Sequence, residues 1–154
     1  MRFLFAANAA FLITATTFAQ TPTEKTAPIA SKPTQKGVAA KGAFSTIGAA
    51  DAKVKSATKA TDLNAAKKTV SKTAAFSGTV AKVFTPKGNG LVLLNFANDY
   101  KTAIIGVVDD SDFAKFPDLQ TLVGKKVWVS GKVENYKGQP EVRLNSPDAI
   151  KIIQ

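Results

Sequence analysis

The feature that most limits what this chain can fold into is the texture of its second half. From Phe76 onward, β-branched and aromatic residues come in short runs, and glycine, proline, asparagine or aspartate cuts off each run. Such runs at close spacing specify strands joined by turns, and several in succession specify a small all-β barrel or sandwich. They occupy residues 76–84, 91–96, 102–108, 125–134 and 141–144. Between the third and fourth, Asp110 or Ser111 is placed to cap a short helix that Pro117 ends. After the fifth run the chain bends at Asn145-Ser146-Pro147-Asp148 and finishes on Ala149-Ile150-Lys151-Ile152-Ile153. In the fourth run Val127, Val129 and Val133 share one face, while Lys126, Trp128, Ser130, Lys132 and Glu134 share the other. Trp128 is therefore either a surface stacking or interface residue, or one covered by a helix of the preceding segment. Burial is the expected state.

What precedes residue 76 has a different character. Residues 1–19 read as a secretory signal, with Arg2 as the positive end, an apolar stretch through Ile13, and small residues before a cut after Ala19. A membrane-spanning helix needs about 20 predominantly apolar residues, and this stretch is too short. The expected destination is outside the cytoplasm, periplasmic or secreted. Residues 20–75 hold one aromatic, Phe44, and ten lysines against three acidic residues, a net charge of +7. The early part mixes proline, threonine and lysine, and it lacks the apolar surface to offset its conformational entropy. Over residues 51–72 alanine and lysine favour helix, Asp51 and Asp62 suit N-cap positions, and Leu63, Ala66 and Val70 fall on one helical face. The stripe is thin, so a fraying helix or two is expected there, in a basic tail or linker and not in a second domain. Such a tail either adds salt-sensitive attraction to polyanions or acts as a solvated spacer.

Several chemistries are closed to this chain. Cysteine and histidine are both absent, which removes disulfides, thiolate metal sites, the cysteine nucleophile and the commonest neutral-pH acid/base. Arg143 is the one arginine beyond Arg2, so no paired-arginine clamp is available. Asp109, Asp110 and Asp112 form the one acidic cluster, and helix capping accounts for them more simply than a metal site. No nucleophile, base and orienting group fall into a recognisable arrangement. The expectation is a binding protein with no enzyme activity, no cofactor and no metal. A net charge of +10 points to anionic partners, although residues 76–154 contribute only +2 of it.

Three strands, a short helix and two further strands is the order of an OB-fold. The run Gly124-Lys125-Lys126-Val127-Trp128-Val129-Ser130-Gly131-Lys132-Val133 resembles the closing hairpin of OB-fold nucleic-acid-binding domains. So do Tyr136-Lys137-Gly138-Gln139-Pro140 and Leu144-Asn145-Ser146-Pro147-Asp148-Ala149-Ile150, while Leu94-Asn95-Phe96 resembles the second strand of the same group. The resemblance implies an all-β, five-stranded barrel over residues 76–154, with one short helix between strands three and four. It also implies a single-strand binding face on strands two and three, flanked by the loops joining strands one to two and four to five. Aromatics stack bases on such a face and lysines follow the backbone. Carried onto this chain, the first loop offers Phe84 and Lys87, and strand two offers Asn95. The next connection offers Tyr100 and Lys101, and the four-to-five loop offers Tyr136 and Lys137, with Lys132 and Arg143 on the flanking strands. Phe84 and Phe96 also fit core positions, and Tyr136 fits packing over its own turn. The expected function is non-catalytic binding of single-stranded or otherwise accessible DNA or RNA. The competing expectation is a cell-envelope binding or scaffold protein recognising a protein, an anionic polymer such as a polysaccharide, or a small molecule. No membrane span is expected.

Overall fold

Side-chain alternation separates the inside of the sheet from its outside most cleanly at residues 82–84 and 91–95. The structure, a computed structural model, describes residues 40, 42–88 and 90–154. The expected signal segment at residues 1–19 and the proline-containing stretch after it lie outside the described residues. In β5 (Leu91–Asn95) Val92 and Leu94 are buried while their neighbours are partly open. In β7 (Lys126–Tyr136) Val127, Val129 and Val133 point into the core. Burying side chains of this size stabilises the fold by about 1.5–3 kcal/mol each.

The remaining elements follow in order. They are β1 (Thr46–Ile47), α1 (Ala52–Ser56), β2 (Thr58–Lys59), α2 (Leu63–Lys67), β3 (Thr73–Thr79) and β4 (Lys82–Phe84). After β5 come a 3-10 turn at Tyr100–Thr102, β6 (Ile105–Asp109), and 3-10 turns at Asp110–Lys115 and Leu119–Leu122. β7, β8 (Gln139–Arg143), a 3-10 turn at Pro147–Ala149 and β9 (Ile150–Ile153) complete the chain. The sheet runs β1-β9-β7-β8-β6-β5-β4, with β3 pairing both β7 and β2. β3 and β4 are two halves of one strand broken at Val80 and Ala81. Val80 exchanges bonds with the backbone of Gly124 and Lys125, whereas Ala81 donates to Asn95 on β5. The strand is thus handed from β7 to β5, and the sheet curls back on itself. The parallel pairing of β6 with β8 is the long-range step of an OB-like barrel.

The expected five-stranded barrel becomes a sheet of nine strands among the described residues. Three causes account for the difference. Strand one is split at its bend, the C-terminal run Ile150–Ile153 pairs with β7, and residues expected in a basic tail add β1 and β2. The two short helices do carry Asp51 and Asp62 at their N-caps, with carboxylates accepting from the amides of Lys53 and Ala65. The segment that carries them packs against the sheet at several points. Phe44, Ala60 and Ala66 are buried in the core, and Ile104 donates its amide to the carbonyl of Ala60. Trp128 is covered here as well, its Nε1–H donating to the Lys53 carbonyl at 3.1 Å. Asp109, not Asp110 or Ser111, occupies the cap position of the turn after β6, and its carboxylate goes to Arg143 instead of to the turn. No helix among the described residues is long and apolar enough to cross a membrane.

Candidate functional site

Register builds one groove on the outer face of the barrel. Phe84 pairs with Leu93, Asn95 with Ile105, and Ile105 with Glu141, so these side chains project from adjacent strands β4, β5, β6 and β8. The tight turn between β7 and β8 consists of Lys137 and Gly138, both with positive φ, the conformation a two-residue hairpin requires. That turn lifts Tyr136 and Lys137 along one wall. Asp99 caps the Tyr100–Thr102 turn through the Lys101 amide and sets Tyr100 and Lys101 at the near end. Gln139 ties the two walls together, its side-chain amide donating to the carbonyls of Ala103 at 2.6 Å and Tyr100 at 3.1 Å.

The resulting groove of about 530 Å³ is lined by Phe84, Leu93, Asn95, Tyr100, Lys101, Ile105, Tyr136, Lys137, Gly138, Gln139 and Glu141. Its volume falls in the range of small-ligand sites. Three of its aromatics are open to solvent: Phe84 at 40%, Tyr100 at 50% and Tyr136 at 54%. Each has a lysine ammonium near its ring, Lys82 at 5.3 Å, Lys101 at 5.9 Å and Lys137 at 5.2 Å from the centroids. These are cation–π distances, and they hold positive charge beside every open ring. A second depression of about 420 Å³, lined by Pro86, Gly88, Leu91 and Arg143, shares Leu93, Tyr136 and Glu141 with the main groove.

The floor has the opposite character to the rim. Glu141 is only 7% exposed, and among the described residues nothing donates a hydrogen bond to its carboxylate. Burial pushes its pKa above the usual carboxylate value; nearby Arg143 pulls it down, and Glu134, its partner across the strand pair, pushes it up. Asn95 Oδ1 is buried without a protein partner in the same groove. A carboxyl whose pKa is raised by folding holds its proton more tightly in the native state. Its ionisation therefore removes stability as pH rises from about the unfolded value, 4.5, through the raised one. Glu141→Gln should melt higher than the parent at pH 7, and the gap should close as pH is lowered toward 4. A gap that is unchanged across that range would show that Glu141 carries no ionisation cost.

Of the residues anticipated from sequence, Phe84, Asn95, Tyr100, Lys101, Tyr136 and Lys137 line this one groove. Phe96 is buried as expected, at 6%, but Phe84 is not a core residue: β4 turns Val83 inward and Phe84 out. Arg143 lies in the adjoining depression, where Nη1 bonds Asp109 and Nε bonds Glu134, both at 3.0 Å. Lys132 sits 3.6 Å from Glu134, and neither it nor Lys87 lines either depression. Leu93, Ile105, Gln139 and Glu141 line the groove and were not anticipated. Parity along β8 sets Gln139, Glu141 and Arg143 on the face that carries Tyr136 on β7, although parity alone does not give the burial of Glu141.

No protein-family model matches the chain, and no curated protein matches its sequence. Among solved structures it resembles the aspartyl tRNA synthetase from Entamoeba histolytica, at 14% identity and a TM-score of 0.50, over 75% of this chain and 26% of that one. It thus spans about a quarter of the synthetase, and the likeness is one of fold. The hypothetical protein ygiW from E. coli aligns at 17% identity and a TM-score of 0.41, over 73% of this chain and 99% of that one.

Proposed function

We propose that this chain is an exported, non-catalytic binding protein whose groove takes single-stranded nucleic acid. The observation that carries the reading is the rim: three open aromatic rings around one groove, each with a lysine ammonium within 6 Å. Bases would stack on Phe84, Tyr100 and Tyr136, while Lys82, Lys101 and Lys137 swing from ring to phosphate. Fold likeness to part of a synthetase that is named for tRNA is compatible with this reading. Export rests on the pattern of residues 1–19 alone. The second reading, an envelope-associated binding or scaffold protein for a protein, a polysaccharide or a small molecule, is favoured by one observation. Arg143, the one arginine beyond Arg2, is neutralised by Asp109 and Glu134.

Fluorescence anisotropy of labelled single-stranded DNA and RNA against the full chain tests the proposal. Tyr136→Ala should weaken binding roughly 5- to 150-fold, the loss of one stacked base at 1–3 kcal/mol. Lys137→Ala should mainly flatten the salt dependence. Binding that salt abolishes and Tyr136→Ala leaves untouched would assign it to scattered lysines, and the second reading would then hold.

A further inference from the structure

Stacking uses the rim of the groove and leaves its floor unexplained. Glu141 is more than nine-tenths buried, lacks a hydrogen-bond donor among the described residues, and lines the groove. Asn95, with an unpartnered buried oxygen, lines it too. Both flank Ile105 in register, Asn95 on one neighbouring strand and Glu141 on the other. Their backbones therefore stand about 10 Å apart with Ile105 between them, the span of two strand spacings. Side chains of these lengths can close from both sides on the edge of one planar heterocycle. Among the described residues the Glu141 carboxylate has no donor, so its oxygens are available to donors on a ligand.

We infer that this floor selects guanine, an inference that rests on the nucleic-acid reading above. A base stacked against the aromatic walls presents its Watson–Crick edge to the floor, the edge single-strand binders read. Guanine carries two adjacent donors there, N1–H and the 2-amino group, which match the two oxygens of one carboxylate. Its O6 accepts from the Asn95 amide. Adenine and cytosine each set one amino donor beside a ring-nitrogen lone pair, which would face the carboxylate. Thymine and uracil set one N–H between two carbonyl oxygens. Only guanine offers paired donors to the Glu141 carboxylate, and the rejected bases cover it without pairing it.

Anisotropy with the full chain and a labelled dT11, against the same strand carrying a single central dG, deoxyinosine, dA or dC, decides the matter. The dG strand should bind at least about tenfold more tightly than the others, the effect of one hydrogen bond to a charged group. Inosine, which lacks the 2-amino group, should lose most of that gain. Glu141→Gln should lose the preference for the dG strand over dT11, with a melt confirming that it is folded. Equal affinity for all five strands, with Tyr136→Ala still weakening them, would overturn guanine selection and leave the groove reading standing. A dG preference that survives Glu141→Gln would overturn the role of the floor. Failure to bind any strand would overturn the nucleic-acid reading itself, and this inference with it.

Discussion

A chain shortened to begin at Phe76 is expected to lose cooperative folding, although every residue of the expected barrel is kept. The cut falls inside β3 and removes the pairing of Thr73, Ala74 and Ala75 with Lys132, Gly131 and Ser130. It also removes the bonds of Ser71 and Lys72 to Val133. Phe44, Ala60 and Ala66 leave the core, and β9 loses its partner β1. Losing Phe44 alone forfeits about 1.5–3 kcal/mol of burial, against a total stability of about 5–15 kcal/mol for an ordinary domain. Trp128 loses both its cover and its acceptor at Lys53. As the chain's single tryptophan, it reports directly on the loss. The shortened chain should show the emission of a solvent-exposed indole and a broad urea transition, while the full chain shows a shielded indole and a sharp one. A sharp transition with shielded emission from the shortened chain would make residues 40–75 dispensable.

The difficulty of reading that segment from sequence has a physical source. Two of its four buried residues, Ala60 and Ala66, are alanines, which signal helix propensity and carry little hydrophobic weight of their own. Ala60 is buried because it is small: it lies against Gly78, where an added Cβ would collide with it and with Phe96. Nothing local to residue 60 announces that fit. The strands of the barrel were legible because Val and Ile alternate within them over short distances, as in β7. Phe84 shows where alternation stops being enough to tell groove from core. Counting by twos from Phe76 reaches Val80, Lys82 and Phe84 on the inner face. The break at Val80 and Ala81 shifts parity by one, so Val83 turns in and Phe84 turns out. The groove aromatics were legible because turn chemistry placed them: asparagine, aspartate and glycine mark the connections that carry Tyr100 and Tyr136. Glu141 was not legible. Its burial comes from walls built by other strands, and only the register of β8 against β6 sets it on the floor.

Gly131→Ala should be the most damaging alanine substitution among the described glycines. β7 pairs β3 along one edge, and along the other edge it passes from β9 to β8. Gly131 stands where that change of partner takes place, facing inward with Val129 and Val133. A Cβ there would fall on the carbonyl oxygen of Arg143 and press on the side chain of Val142. The obstacle is backbone, so no rotamer change relieves it; β8 has to move away or β7 has to bend. The expected cost is about 3 kcal/mol or more, the upper end of overpacking, which for a domain near this size lowers Tm by more than about 10 °C. Gly48→Ala is the matched control, because a Cβ there meets nothing within 4 Å. It should leave stability within about 0.5 kcal/mol of the parent. Thermal unfolding of the two variants side by side separates a steric requirement at Gly131 from a general intolerance of alanine for glycine. Equal melting temperatures would mean that β8 yields easily. Because β8 also carries Gln139, Glu141 and Arg143, a yielding β8 would leave the floor of the groove without a fixed geometry, and a floor that moves cannot discriminate between bases.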